Sequence, residues 1–319
     1  MKVQLRRDRP ARSCFALLFV LTVARQSICA QPTVAGGAGS THRAEIELAI
    51  AARMDSLQWS IPGSGGYPNI LSELTWWGLL SAGATIRGRY AFGPLAFVGE
   101  GGIFKTFTGR NTDYDYLADD RTSVLAYSEN SSNGGLTADL KLGVGYDEYE
   151  TLGHGRAHFA LVGGPFMSAQ NLLITDGTQY PGAIVLAGIS STYNTLWWGP
   201  WIGFTAGHES PNGSSFSGTL EALFVLYSGT ADWMRRTDFA HPVSFRQWAA
   251  GGGLMLHLEA ATATRNHFRW VFRAGVGFLT TATGTDQLYY ANGSDSTGTL
   301  NGATWTTISL SAGLSFVGF

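Results

Sequence analysis

The chain has 319 residues with 21 Lys plus Arg, 23 Asp plus Glu and 7 His, a formal net charge of −2. No stretch beyond the N-terminal region is apolar for eighteen continuous residues; this excludes membrane-spanning helices but not a barrel, whose apolar signal is diluted by alternation. Without residues 1–30, which hold six basic side chains and Asp8, 15 Lys plus Arg face 22 Asp plus Glu; a net charge of −7 argues against a nucleic-acid partner.

Lys2, Arg6, Arg7, Arg9 and Arg12 precede the apolar run Phe15 to Ala24 and then Ser27-Ile28-Cys29-Ala30. A basic segment, an apolar run too short to span a membrane and small residues at a cleavage site read as a signal peptide over 1–30, with 31–319 as the exported domain. Both cysteines, Cys14 and Cys29, fall in the removed segment, so neither disulfides nor thiolate catalysis is expected.

From Leu136 to Tyr146 every second residue is apolar, with Thr137, Asp139, Lys141, Gly143 and Gly145 between. A period of two predicts a strand, and the pattern recurs over 43–53, 71–89, 94–105, 135–146, 157–172, 195–207, 215–228, 246–260, 267–280 and 303–319. Connections alternate between long (54–70, 106–134, 173–194, 229–245, 281–302) and short (90–93, 147–156, 208–214, 261–266). The fold class expected is therefore all-β, a ten-stranded antiparallel transmembrane β-barrel with long extracellular loops and short periplasmic turns. Its place is the outer membrane, in contact with outer-membrane lipid, with both termini toward the periplasm.

Parity turns Leu74, Trp76, Leu80, Ile86, Phe268, Trp270, Phe272 and Val276 toward lipid. It points Arg87, Arg89, Glu221, His257, Glu259, Arg269 and Arg273 inward, where charges of both signs should neutralise one another as a plug and disfavour an open pore. Trp76, Trp77, Trp197, Trp198, Trp201, Trp248 and Trp305 suit interfacial girdles. The last alternating segment, ending at Phe319, resembles the assembly signal of outer-membrane barrels.

With the wall committed to structure, chemistry should sit in the loops. The second carries Asp113-Tyr114-Asp115-Tyr116, whose carboxylates could converge on one water or cation, or simply cap turns. An EF-hand calcium loop would need glycine and an acid where Ala118 and Val124 stand, so metal binding is not expected. The fourth loop, on the same rim, holds Asp238-Phe239-Ala240-His241, and an Asp near a His can orient the imidazole so that its other nitrogen takes a proton from water. There is no Gly-x-Ser-x-Gly elbow, and the histidines lack zinc-ligand spacing.

These segments resemble the omptin family of outer-membrane proteases. Ser72-Glu73-Leu74-Thr75-Trp76 is similar to the family's Ser-Gln-Leu-Asp-Trp, and Asp113-Tyr114-Asp115-Tyr116 to its Asp-x-Asp-Trp. Pro200-Trp201-Ile202-Gly203 resembles Pro-Tyr-Ile-Gly, and Tyr227-Ser228-Gly229 leads into the Asp-His loop as the family's Tyr-Ser-Gly does. The resemblance implies a surface endopeptidase of aspartic type acting on peptide or protein, its groove facing the exterior. Asp113 and Asp115 would position the water, Asp238 would orient His241, and His241 would be the base. It implies no cofactor, with lipopolysaccharide as a partner that activity could require. Two residues separate Asp238 from His241 where the family has one, and Arg235 and Arg236 replace the acids of its pocket for basic residues. The alternative expectation is a catalytically inactive barrel serving adhesion or envelope structure.

Overall fold

The computed structural model describes residues 42–263 and 266–318; the expected signal peptide and Phe319 lie outside the described residues. The strands are β1 (His42–Ile61), β2 (Ser72–Phe92), β3 (Leu95–Ala118), β4 (Thr122–Ser131), β5 (Leu136–Leu152), β6 (Gly155–Tyr180) and β7 (Ile184–Glu209). They continue with β8 (Ser215–Asp232), β9 (Phe245–Ala261), β10 (Phe268–Thr281), β11 (Gly284–Tyr289), β12 (Asp295–Leu300) and β13 (Gly302–Gly318). All pairings are antiparallel. β4 and β5 share the neighbours β3 and β6 and so form one interrupted wall strand. β10 and β11 both pair with β9 and are followed on their other side by β13 and β12 respectively, so β10 with β11, and β12 with β13, each also make one interrupted wall strand. The wall is thus a ring of ten, closed where β1 meets β13 from Ala44↔Gly318 to Ser60↔Gly302.

One end carries the short turns and both ends of the described wall; the other overhangs as long hairpins. Here the structure corrects the expected loops. Segments 106–134 and 173–194 are mostly strand, turning only at 119–121 and 181–183, and β6 and β7 stay paired out to Gln179↔Ile184. Beyond the lipid belt the outer face meets water, so the apolar alternation lapses while the backbone ladder continues.

Along the belt, outward positions are apolar and exposed, among them Ile46, Leu48 and Ile50 on β1, Leu140 and Leu142 on β5, and Phe268, Trp270, Phe272 and Val276 on β10. The expectation for Leu74 and Trp76 is overturned. Gly78 takes φ +59° and the β2–β3 register shifts between Trp77 and Leu80. A bulge inserts one residue and inverts parity beyond it. Trp76 is therefore 0% exposed and Leu74 buried inside, while Trp77 is 45% exposed outside. The girdle likewise consists of Trp77, Trp198 and Trp248, whereas Trp76, Trp197, Trp201 and Trp305 fill the lumen.

Inward charges pair as their parity requires. Arg273 Nη2 donates to Glu47 at 3.1 Å and to Glu259 at 2.9 Å, and Arg87 Nη1 donates to Glu259 at 2.7 Å. Lys141 Nζ reaches Glu221 at 2.7 Å, and Arg53 joins Asp55 to Asp139. Above this ionic layer lies an aromatic one, where Trp76 stacks on Tyr193 at 5.0 Å and Trp59 meets Phe245 edge-on at 5.5 Å. Tyr193 OH donates to Gln247 Oε1 at 2.6 Å and Gln247 Nε2 to Asp286 at 2.9 Å, while the buried indole N–H groups of Trp59, Trp76 and Trp197 have no hydrogen-bond partner among the described residues. Two cavities among the inward charged groups, about 70 and 110 Å³, hold a few waters at most.

Removing one partner of a buried pair leaves an uncompensated charge, so Arg273→Ala should lower the unfolding free energy by about 3 kcal/mol. Urea titration of the barrel in lipid vesicles measures this; an unchanged midpoint would mean a wet lumen. For orientation, an epitope inserted after Gly293 should be reached by antibody on intact cells, and one inserted after Gly213 only after the outer membrane is permeabilised. Reversed labelling would invert the barrel.

Candidate functional site

The overhanging hairpins enclose a cleft of about 360 Å³ at the rim, above the aromatic layer. One wall comes from β3 and β4, the other from β6, β7 and the connection 233–244. Asp113 and Asp115 lie two apart on β3, not in an irregular loop, so their side chains share one face. Their direct partners on β2 are Leu74 and Ser72, and the same face carries buried Asn111 opposite Trp76, so the face is the inner one. Ser72, directly opposite Asp115 and two residues from the partner of Asp113, is the hydroxyl on β2 that acts on both carboxyl groups. Burial, then the adjacent Asp115 charge, pushes the Asp113 carboxyl up to about 7, and burial also raises Asp115; Ser72 and Arg236 oppose both shifts.

Facing the carboxyl pair are Trp233, Arg235 and Arg236. Their connection is held by local hydrogen bonds. Trp233 N–H donates to Ser244 Oγ at 2.8 Å, Arg236 N–H to the Trp233 carbonyl at 2.9 Å, and Ala291 N–H to the Asp238 carbonyl at 2.9 Å. Asp238 does not orient His241. Its oxygens accept from Arg236 Nε at 2.9 Å and Nη2 at 2.8 Å, while the guanidinium carbon lies 3.8 Å from the Phe239 ring centroid. A planar fork two residues away matches both carboxylate oxygens at once, which a single imidazole nitrogen cannot do. Its hydrogen bond to Arg236 holds Asp238 below the usual carboxylate range.

His241 Nδ1 instead lies 2.6 Å from Asp232 Oδ1. Along β8 the side chains of Glu221, Leu223, Val225, Tyr227 and Ala231 are buried inward, so Asp232 is turned to the outer side of the wall. The structure therefore brings Asp113 and Asp115 together, and sets Asp238 beside them only through Arg236. His241 does not line their cleft. Asp232 was passed over in the sequence because it lies nine residues before His241; its signal is that it ends the β8 alternation on the outward parity.

On the other face of β3, Tyr114 stacks on Tyr127 at 4.9 Å and 7°, and Tyr127 on Tyr180 at 4.7 Å and 16°, tying β3, β4 and β6 together. The remaining lining includes Ile174, Leu186 and Ile189, giving the cleft an apolar side between its acidic and basic walls. Among the described residues no group of His, Cys, Asp and Glu is placed to hold a metal ion.

The raised Asp113 pKa has a measurable sign. The folded state holds its proton to about pH 7 while the unfolded carboxyl loses it near 3.8. Folding stability should therefore fall as pH rises from about 4 to about 7 and level off above, for this group. A carboxyl-carbon NMR titration should place Asp113 near neutrality in the parent and partway lower in Asp115→Asn. An ordinary carboxylate midpoint in both proteins would show that the pair is solvated and uncoupled.

Comparison with solved structures finds the outer membrane protease OmpT from Escherichia coli, with a TM-score of 0.70 and 11% identity, covering 86% of this chain and 97% of that one. At that identity the likeness is one of fold, and it agrees with the ten-stranded wall overhanging at one end. No curated sequence matches the chain. The family model described as Protochlamydia outer membrane protein matches residues 47–317, from the first belt strand to the last. A closed barrel with a lipid-facing apolar belt, matched along nearly its whole described length, belongs to that outer-membrane family, Pom.

Proposed function

We propose that the protein acts at the cell surface as a recognition barrel, sealed through the membrane and working at its extracellular cleft. The observation that carries this reading is the composition of the cleft walls. Guanidinium groups of Arg235 and Arg236 stand opposite Asp113 and Asp115, where hydrolysis by an Asp-His scheme needs an imidazole. His241 is occupied by Asp232 on the outer side of β8. A cleft of this size with a few convergent polar groups and an apolar side is suited to holding a ligand. The ionic and aromatic layers beneath it leave no room for a solute path, which disfavours a porin.

A second reading, peptide hydrolysis at the same cleft, is favoured by one observation. Asp113 is raised to about 7 beside Asp115, so the pair can hold a proton near neutrality, and coupled carboxyl groups of this kind can activate water. In this reading the fold likeness to OmpT extends to activity, with lipopolysaccharide as the accompanying lipid.

The two readings separate in one assay. Refolded barrel in detergent, with and without lipopolysaccharide, is incubated with a diverse peptide library and the products are analysed by mass spectrometry. Recognition without hydrolysis predicts intact peptides. Cleavage that drops at least ~100-fold in Asp113→Asn but persists in His241→Ala would establish the carboxyl pair as the catalytic unit. Cleavage lost in both variants would restore the base role expected of His241.

A further inference from the structure

The two arginines of the cleft are not equivalent. Arg236 is held in place, with two hydrogen bonds to Asp238 and its face against Phe239. It is a fixed positive charge that also acts on Asp115 and Asp113 across the cleft. Arg235 lines the same cleft, is exposed, and has no hydrogen-bond or ion-pair partner among the described residues. A guanidinium carries five donors in a planar fork and no acceptor, so its complement is an anion with two in-plane oxygens. On a chain whose exported part has a net charge of −7, this is a local inversion of sign.

The opposite wall narrows the class of ligand. Asp115, and Asp113 through whichever of its oxygens carries no proton, accept hydrogen bonds, so the acidic wall favours an occupant that presents N–H or O–H donors there while presenting an anion to Arg235. Between them, Ile174, Leu186, Ile189 and Trp233 ask for apolar surface. A peptide meets all three demands at once, with backbone N–H groups for the aspartates, an aliphatic side chain for the middle and a carboxylate for the fork. Inorganic phosphate, an anion with an O–H but no apolar surface, leaves the middle demand unmet.

We infer that the cleft selects peptide segments in which an Asp or Glu side chain lies beside an apolar one, and that Arg235 reads the carboxylate. The inference rests on the recognition reading above and adds the ligand's chemistry to it. It also opposes the specificity that the omptin resemblance would suggest, since the acids expected to hold a basic residue are replaced here by arginines.

Fluorescein-labelled octapeptides of alternating Leu and Glu, Leu and Gln, and Leu and Lys test it, by fluorescence anisotropy with the intact barrel in detergent. The Glu peptide should bind about tenfold more tightly than its Gln isostere, the size of one charge-assisted hydrogen bond in a half-buried site. The advantage should shrink as salt rises. It should vanish in Arg235→Gln and turn into a preference for the Lys peptide in Arg235→Glu. Having no partner to lose, Arg235 can be replaced without unfolding the wall, and heat-modifiable migration on a gel checks this for each variant. Equal affinity for the Glu and Gln peptides in the parent, or an undiminished Glu preference in Arg235→Glu, would overturn the inference while leaving peptide recognition intact. Failure of all three peptides to bind would overturn both.

Discussion

Everything in this molecule depends on the seam between β1 and β13. In hydrocarbon there is no water to satisfy an exposed N–H or carbonyl, and each such group left unpaired costs several kcal/mol. A sheet that crosses a bilayer must therefore have no edges, and seventeen paired positions along that seam remove the last two. Closure at ten strands fixes an interior of a size that side chains can fill. The interior of a membrane barrel faces the opposite demand from its wall. Its residues are shielded from lipid by the sheet, so charge is tolerated there when it is matched. Arg273 between Glu47 and Glu259, and Arg53 between Asp55 and Asp139, show how matching is done with one cation shared by two carboxylates from strands that are not adjacent in the wall.

A filled lumen displaces chemistry to the rim. The wall strands extend well beyond the lipid belt, and the aromatic layer around Trp76, Tyr193 and Trp197 forms the floor on which the cleft stands. Aromatic side chains suit this level because they bring large apolar surface and, as in Tyr193 with Gln247 and Asp286, a polar tip that can be satisfied inside. The site is thus built on strands rather than on free loops, and its acidic pair owes its convergence to the two-residue period of β3.

Much of the fold was legible from alternation alone, because lipid outside and charge inside write opposite demands onto successive residues. The strand over 136–146, the inward set from Arg87 to Arg273 and the ring of ten all follow from that contrast. It failed where a parity inversion intervened. Nothing in Ser72-Glu73-Leu74-Thr75-Trp76-Trp77 announces which tryptophan faces lipid, and the answer lies in Gly78, whose positive φ permits the bulge. It failed again above the belt, where both faces of β6 and β7 meet water or protein and no contrast is left to read. The site was legible in part for a related reason. Asp113 and Asp115 carry their geometry in their spacing, whereas the partner of a loop histidine depends on how a twelve-residue connection folds back. Arg236, closer to Asp238 and geometrically better matched, takes the acid that proximity in sequence had assigned to His241.

The stack of Tyr114, Tyr127 and Tyr180 bears on how the cleft meets an occupant. A two-stranded ribbon standing clear of a membrane flexes easily on its own. Here three rings laid face to face across β3, β4 and β6, with β7 paired behind, make the acidic wall part of a four-stranded plate. Such a plate resists bending, so the opening does not fold shut over what enters it. For an occupant of the kind proposed, selection would work by exclusion at a fixed aperture, and exchange would be governed by how it approaches and leaves a rigid slot rather than by the opening of a door.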